Sequence, residues 1–95
     1  MKTGQKILVV EDEPDIRKLV NYNLAQERFR VIEAEDGEQG LKMVQREKPD
    51  LVILDLGLSG AQSGLDVLRW FRSRGDHLEL PILILTGERL LSEEQ

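Results

Sequence analysis

The chain has 95 residues and no cysteine, which suits a single domain and excludes disulfides and cysteine-based metal or nucleophile chemistry. Apolar residues make up 40% and charged residues 33%, an ordinary balance for a soluble globular protein, and no run of about 18 apolar residues is present to span a membrane. The net charge of -5, from 18 acidic against 13 basic residues, argues against direct nucleic-acid binding by this segment, because such binding needs a basic patch facing the phosphates. The N-terminal residues have no signal-peptide layout, so a cytoplasmic protein is expected.

Ile7 to Val10 form a continuous apolar run, the pattern of a strand buried on both faces. Pro14 suits the first turn of a helix, where its missing N–H costs nothing, and Ile16, Leu19, Val20 and Leu24 follow as one apolar stripe. Arg30 to Ala34 is more polar, as an edge strand would be. Asp36 and Gln39 have the spacing of a capping box and open a second helix, with Leu41 and Val44 inward and a stop near Lys48 ahead of Pro49. Leu51 to Leu54 is a second fully apolar run, and it ends at Asp55. A glycine-rich loop covers Gly57 to Gly64, with Ser63 and Asp66 as another capping box. In the helix beyond it Leu65, Leu68 and Phe71 are expected inward, with Val67 and Trp70 widening the stripe and Gly75 as the stop. Pro81 precedes the last apolar run, Ile82 to Leu85, and Thr86 follows it. The tail from Glu88 to Gln95 would begin a fourth helix.

This β-α-β-α-β-α-β order predicts an α/β fold: a doubly wound parallel sheet with helices on both faces. Sites in such sheets lie outside the carboxyl ends of the strands. Glu11 and Asp12 follow the first strand, Asp55 the third and Thr86 the fourth. Three strands thus deliver three carboxylates and a hydroxyl to one end. Crowded carboxylates raise one another's pKa, and a hard divalent cation removes the conflict. Mg²⁺ suits such a site, and a carboxylate beside it can act as nucleophile toward a phosphoryl group. Taken singly, Glu11 and Asp12 equally suit the positive N-terminus of the next helix, and Asp55 or Thr86 a plain turn. The coincidence at three strand ends favours a Mg²⁺-dependent phosphoryl acceptor centred on Asp55. Gly57, Gly60 and Gly64 lack the dinucleotide-binding spacing, and His77 reads as a solvated loop residue.

Four stretches resemble receiver domains of two-component response regulators: Ile7 to Arg17, Glu35 to Leu41, Lys48 to Leu56 and Leu80 to Gly87. The resemblance runs from about Lys6 to Gly87, so residues 1–95 are taken as the N-terminal four βα units of a receiver domain, truncated before its fifth. It implies a flavodoxin-like sheet of order 2-1-3-4 and phosphorylation of Asp55 by a sensor histidine kinase or phosphotransfer protein. It also implies Mg²⁺ ligation by Asp12 and Asp55, by Glu11 through water and by the Gly57 carbonyl. The Thr86 hydroxyl and the Gly87 N–H would contact the phosphoryl group, and the first helix, around Asp15 to Leu24, would dock the kinase. Glu11 stands where the family more often has aspartate, Ser59 where it has proline and Gly87 where it has alanine, and the loop after Asp55 is one residue longer. The fifth strand with its lysine and aromatic residue, and the fifth helix, are not in this sequence, and no lysine follows Lys48. The fourth strand is then expected to be an exposed edge through which the chain self-associates.

Three functions compete. The first is a signalling phosphoacceptor, not a turnover enzyme. The second is a receiver-like module that binds proteins without being phosphorylated. The third is a Mg²⁺-dependent phosphohydrolase, disfavoured because Gly57 stands where such enzymes often carry a second aspartate.

Overall fold

The computed structural model describes residues 4–55, 57, 64–73 and 79–85. Its elements in chain order are β1 (Lys6–Val10), α1 (Pro14–Gln26), β2 (Arg30–Ala34), α2 (Gly37–Glu47), β3 (Leu51–Asp55), α3 (Gly64–Ser73) and β4 (Ile82–Leu85). The four strands pair in parallel in the order β2-β1-β3-β4. This is the flavodoxin-like arrangement the resemblance implied, with β2 at an edge.

Paired residues share a face, so the register sorts the core into two layers. Leu8, Val10, Val52 and Leu54 form one layer with Leu41 and Val44 of α2 and Val67 and Phe71 of α3. Ile7, Val9 and Ile53 form the other, against Val20 and Leu24 of α1. Ile7, Leu8, Val9 and Val10 are all buried, as a strand covered on both faces requires.

β1 and β3 are clasped at their start. The Lys6 N–H donates to the Asp50 carboxylate at 2.8 Å, and the Asp50 N–H donates back to the Lys6 carbonyl at 2.7 Å. The Lys6 ammonium also reaches the Glu47 carbonyl, 3.0 Å away, and its carboxylate at 3.2 Å, tying in the end of α2.

The α2 cap forms as expected at one half. The Gln39 N–H donates to the Asp36 carboxylate at 2.8 Å, but the Gln39 side chain accepts from the N–H of Glu35, at 2.6 Å, one residue before the cap. Lys48 closes this helix in the left-handed region, φ 49°, with its N–H on the Val44 carbonyl.

Two helix faces differ from the sequence expectation. In α1, Ile16 and Leu19 are exposed, and the sheet-facing positions are Arg17, Val20, Asn21 and Leu24. Two of these are polar because they face Glu33 of β2, which accepts from Arg17 Nε at 3.0 Å and from the Asn21 amide. A carboxylate on the sheet surface selects polar partners from the helix. In α3, Leu65 is exposed, and Gly64, Val67, Leu68 and Phe71 face inward, with Trp70 at the rim. The helical spacing of three, four and seven counted from Gly64 fits all four; counted from Leu65 it does not. The Ser63 cap, Gly75, His77 and the tail after Leu85 lie outside the described residues.

This face assignment has a measurable consequence. Phe71→Ala should cost about 3–5 kcal/mol in urea unfolding, and Leu65→Ala under about 0.5 kcal/mol. Comparable costs at the two sites would mean the helix face is set otherwise.

Candidate functional site

Parallel register decides what meets at the carboxyl end of the sheet. Val10 pairs with Leu54, so the next residues, Glu11 and Asp55, emerge side by side from neighbouring strands. Carboxylate oxygens of Glu11, Asp12 and Asp55 lie within 4.8 Å of one another. The structure therefore brings together the three acids that the sequence placed at strand ends.

Each acid is held differently. Glu11 is only 2% exposed. Its N–H donates to the Ala34 carbonyl at 3.1 Å, extending the β1–β2 ladder by one residue. Its carboxylate accepts from the Glu13 N–H at 3.0 Å. That bond lies just ahead of α1, so the helix-entry role and the cluster role coexist in one side chain. Asp12 and Asp55 are half-buried. Asp55 Oδ1 accepts from the Gly57 N–H at 2.9 Å. A Cβ at Gly57 would stand 3.5 Å and 3.7 Å from the two Asp55 oxygens, so glycine leaves that side of the carboxylate open.

Burial pushes the Glu11 carboxyl up to about 7, opposed by the Glu13 N–H and reinforced by the charge of Asp55 and hydrogen bonds with Asp55 and Asp12. The donor set is all oxygen and too acidic to sit comfortably together, which is the chemistry a hard divalent cation satisfies. The residues present fit such an ion. Among the described residues this is the acidic group that gathers three possible ligands.

Thr86 and Gly87 lie outside the described residues; β4 ends at Leu85, in register with Asp55. Missed in the sequence was Arg17, whose Nη1 donates to the Glu11 carbonyl at 2.8 Å. Its spacing of four from Asn21 was the available signal, masked by the apolar stripe beside it.

The family model described as the response regulator receiver domain matches residues 7–94. The chain belongs to that family. The alkaline phosphatase synthesis transcriptional regulatory protein PhoP of Bacillus subtilis is 44% identical over 85 residues, 90% of this chain and 34% of that protein. The response regulator MprA of Mycobacterium leprae is 39% identical over 88 residues, 93% of this chain and 37% of that protein. This receiver thus spans about a third of the length of these relatives. Among solved structures, the receiver domain of a sensor histidine kinase from Pseudomonas aeruginosa, described with a magnesium ion in its active-site cleft, superposes with a TM-score of 0.82. It is 29% identical, over 93% of this chain and 75% of that one. A chemotaxis response regulator of Vibrio cholerae superposes with a TM-score of 0.81 at 26% identity, over 96% of this chain and 78% of that one. The receiver's described helices include none long and apolar enough to cross a membrane.

The raised carboxyl makes a pH prediction. Between pH 4.5 and about 7 the unfolded chain has lost the Glu11 proton while the folded chain keeps it. Folding then binds a proton, so this group's contribution falls as pH rises through that window and levels above it. Thermal midpoints measured from pH 4.5 to 8 should therefore show Glu11→Gln gaining on the parent as pH rises, with the gain flat above about 7. A gain independent of pH would remove the buried, protonated Glu11.

Proposed function

We propose that this receiver accepts a phosphoryl group on Asp55 in a Mg²⁺-dependent reaction and signals through the change that follows. The observation that carries the reading is the convergence of Glu11, Asp12 and Asp55 oxygens within 4.8 Å at the carboxyl end of the sheet. Glu11, Asp12, Asp55 and the Gly57 carbonyl would hold Mg²⁺. When bound, the ion neutralises charge on the transferring phosphoryl group.

The remaining chemistry belongs to the chain. An Asp55 carboxylate oxygen attacks phosphorus, the P–N bond of a phosphohistidine donor breaks, and the departing imidazole nitrogen takes a proton. The product is an acyl phosphate on Asp55. The Gly57 N–H, already on Oδ1, orients the carboxylate and leaves Oδ2 as the attacking oxygen. The Thr86 hydroxyl and the Gly87 N–H supply contacts to the phosphoryl oxygens. This is stoichiometric modification of the chain, not turnover.

The donor would be a sensor histidine kinase or phosphotransfer protein, which carries a cytoplasmic location with it. Ile16, Leu19 and Tyr22 stand exposed on α1 and suit such a docking face. We read residues 1–95 as the first four βα units of a receiver, a segment that binds no nucleic acid itself.

Intact mass after incubation with Mg²⁺ and a small-molecule phosphodonor is the direct test. One phosphoryl group should add to the parent chain and none to Asp55→Ala. No addition to a folded parent chain would favour the module that binds partners without phosphorylation.

The fourth strand supports a further expectation. β4 pairs with β3 on one side only among the described residues, and Leu83 on it is 53% exposed. An apolar strand edge without a partner among the described residues would promote association with a second copy. Light scattering should show a mass that grows with concentration and falls back toward the monomer in Leu83→Lys; a monomer at every concentration would rule it out.

A further inference from the structure

The sheet-facing side of α1 holds a polar chain that leads straight to the acidic cluster. Arg17 extends from the first turns of the helix, with its side chain 11% exposed. Its Nε donates to Glu33 Oε1 at 3.0 Å, and its Nη1 donates to the Glu11 carbonyl at 2.8 Å. The other Glu33 oxygen accepts from the Asn21 amide, one helical turn further along α1. Glu33 is thereby braced at both oxygens by one helix, and the guanidinium is held between β2 and the loop after β1.

We propose that Arg17 is a positioning residue for the acidic cluster: braced by Glu33 and Asn21, it fixes the peptide plane between Glu11 and Asp12 and so aims both carboxylates toward Asp55. The inference rests on the phosphoacceptor reading above and names the residue that prepares its site.

The constraint falls on a single peptide unit. The Glu11 carbonyl belongs to the planar group that joins Glu11 to Asp12. Holding that carbonyl sets the last backbone torsion of Glu11 and the first of Asp12 together. The Glu11 N–H is already held by the Ala34 carbonyl. Two hydrogen bonds thus straddle the Glu11 α-carbon, one from β2 and one from Arg17, and little backbone freedom is left there. Two of the three carboxylates hang from the ends of this unit. Without Arg17 the carbonyl has no such anchor, and the unit can rotate without breaking the strand ladder.

The guanidinium is suited to this task in a way an ammonium is not. Its planar fork presents Nε and Nη1 in fixed relation, so one side chain satisfies Glu33 and the Glu11 carbonyl at once. Groups that orient metal ligands in this indirect way typically change metal affinity about 10–100-fold when removed.

A purely electrostatic role predicts the opposite sign. Arg17 is a cation bonded to the backbone that carries Glu11 and Asp12, so deleting its charge alone should tighten the binding of a divalent cation. Loss of positioning should weaken it. A merely structural role lowers the unfolding temperature and leaves affinity alone at temperatures well below it.

The test is Mg²⁺ titrated calorimetrically into the 95-residue chain and its Arg17→Met and Arg17→Lys variants, with circular dichroism reporting the fold. The expected result is Mg²⁺ affinity about tenfold weaker in Arg17→Met, with a smaller loss in Arg17→Lys, which keeps the charge and part of the bonding. Unchanged or tighter binding in a folded Arg17→Met overturns the inference while leaving the phosphoacceptor reading intact. If Arg17→Met does not fold, Arg17→Lys decides: weaker binding supports the positioning role and equal binding overturns it. A parent chain that binds no Mg²⁺ overturns the phosphoacceptor reading, and this inference with it.

Discussion

Parallel pairing of β1 with β3 is the constraint on which the rest depends. Their register runs from Ile7 with Leu51 to Val10 with Leu54, and it alone makes Glu11 and Asp55 neighbours. The side-chain period of a strand is two, so a slip of one residue would turn Ile53 and Leu54 to the wrong layers and carry Asp55 away from Glu11. Burial of both strands makes that slip costly. At the far end of the sheet the Lys6 N–H bonds the Asp50 carboxylate, the Asp50 N–H bonds the Lys6 carbonyl, and the pair pins the same register. The acidic cluster is therefore positioned by hydrophobic sorting along the strands and by a polar clasp at their start.

That positioning works against local electrostatics. Glu11 is nearly inaccessible, and burial, more than its acidic neighbours, lifts its pKa to about 7. The strand ends hold these acids close because the buried core beneath them fixes the register. Functional sites in which local preference loses to global packing are expected on these grounds. The family places this chain among receivers, and a magnesium ion is described in the cleft of the Pseudomonas relative.

The α1 helix shows how one element serves two surfaces. Its inward face is half polar, because Arg17 and Asn21 meet Glu33 while Val20 and Leu24 meet the sheet core. The outward face keeps Ile16, Leu19 and Tyr22 in solvent. A sequence rule that turns apolar residues inward therefore fails twice on this helix. Apolar groups left outside are available to a partner, and polar groups drawn inside reach the backbone next to the carboxylates.

The sequence by itself determined the element order, the parallel sheet, the buried β1 and β3 strands and the end of the sheet at which the acids gather. Continuous apolar runs, Pro14, the Asp36 cap and Pro49 are local signals, and local physics reads them directly. The resemblance of the same stretches to receivers supplied the strand order that periodicity could not. Only the tertiary structure decided which side of each helix faces in, because that choice depends on what lies opposite: Glu33 beneath Arg17, and the α2 side of the core beneath Gly64, Val67 and Phe71. It alone showed the Arg17 bond to the Glu11 carbonyl and the depth at which Glu11 is buried. Both are properties of segments distant in the chain and close in space, and no window along the sequence contains them.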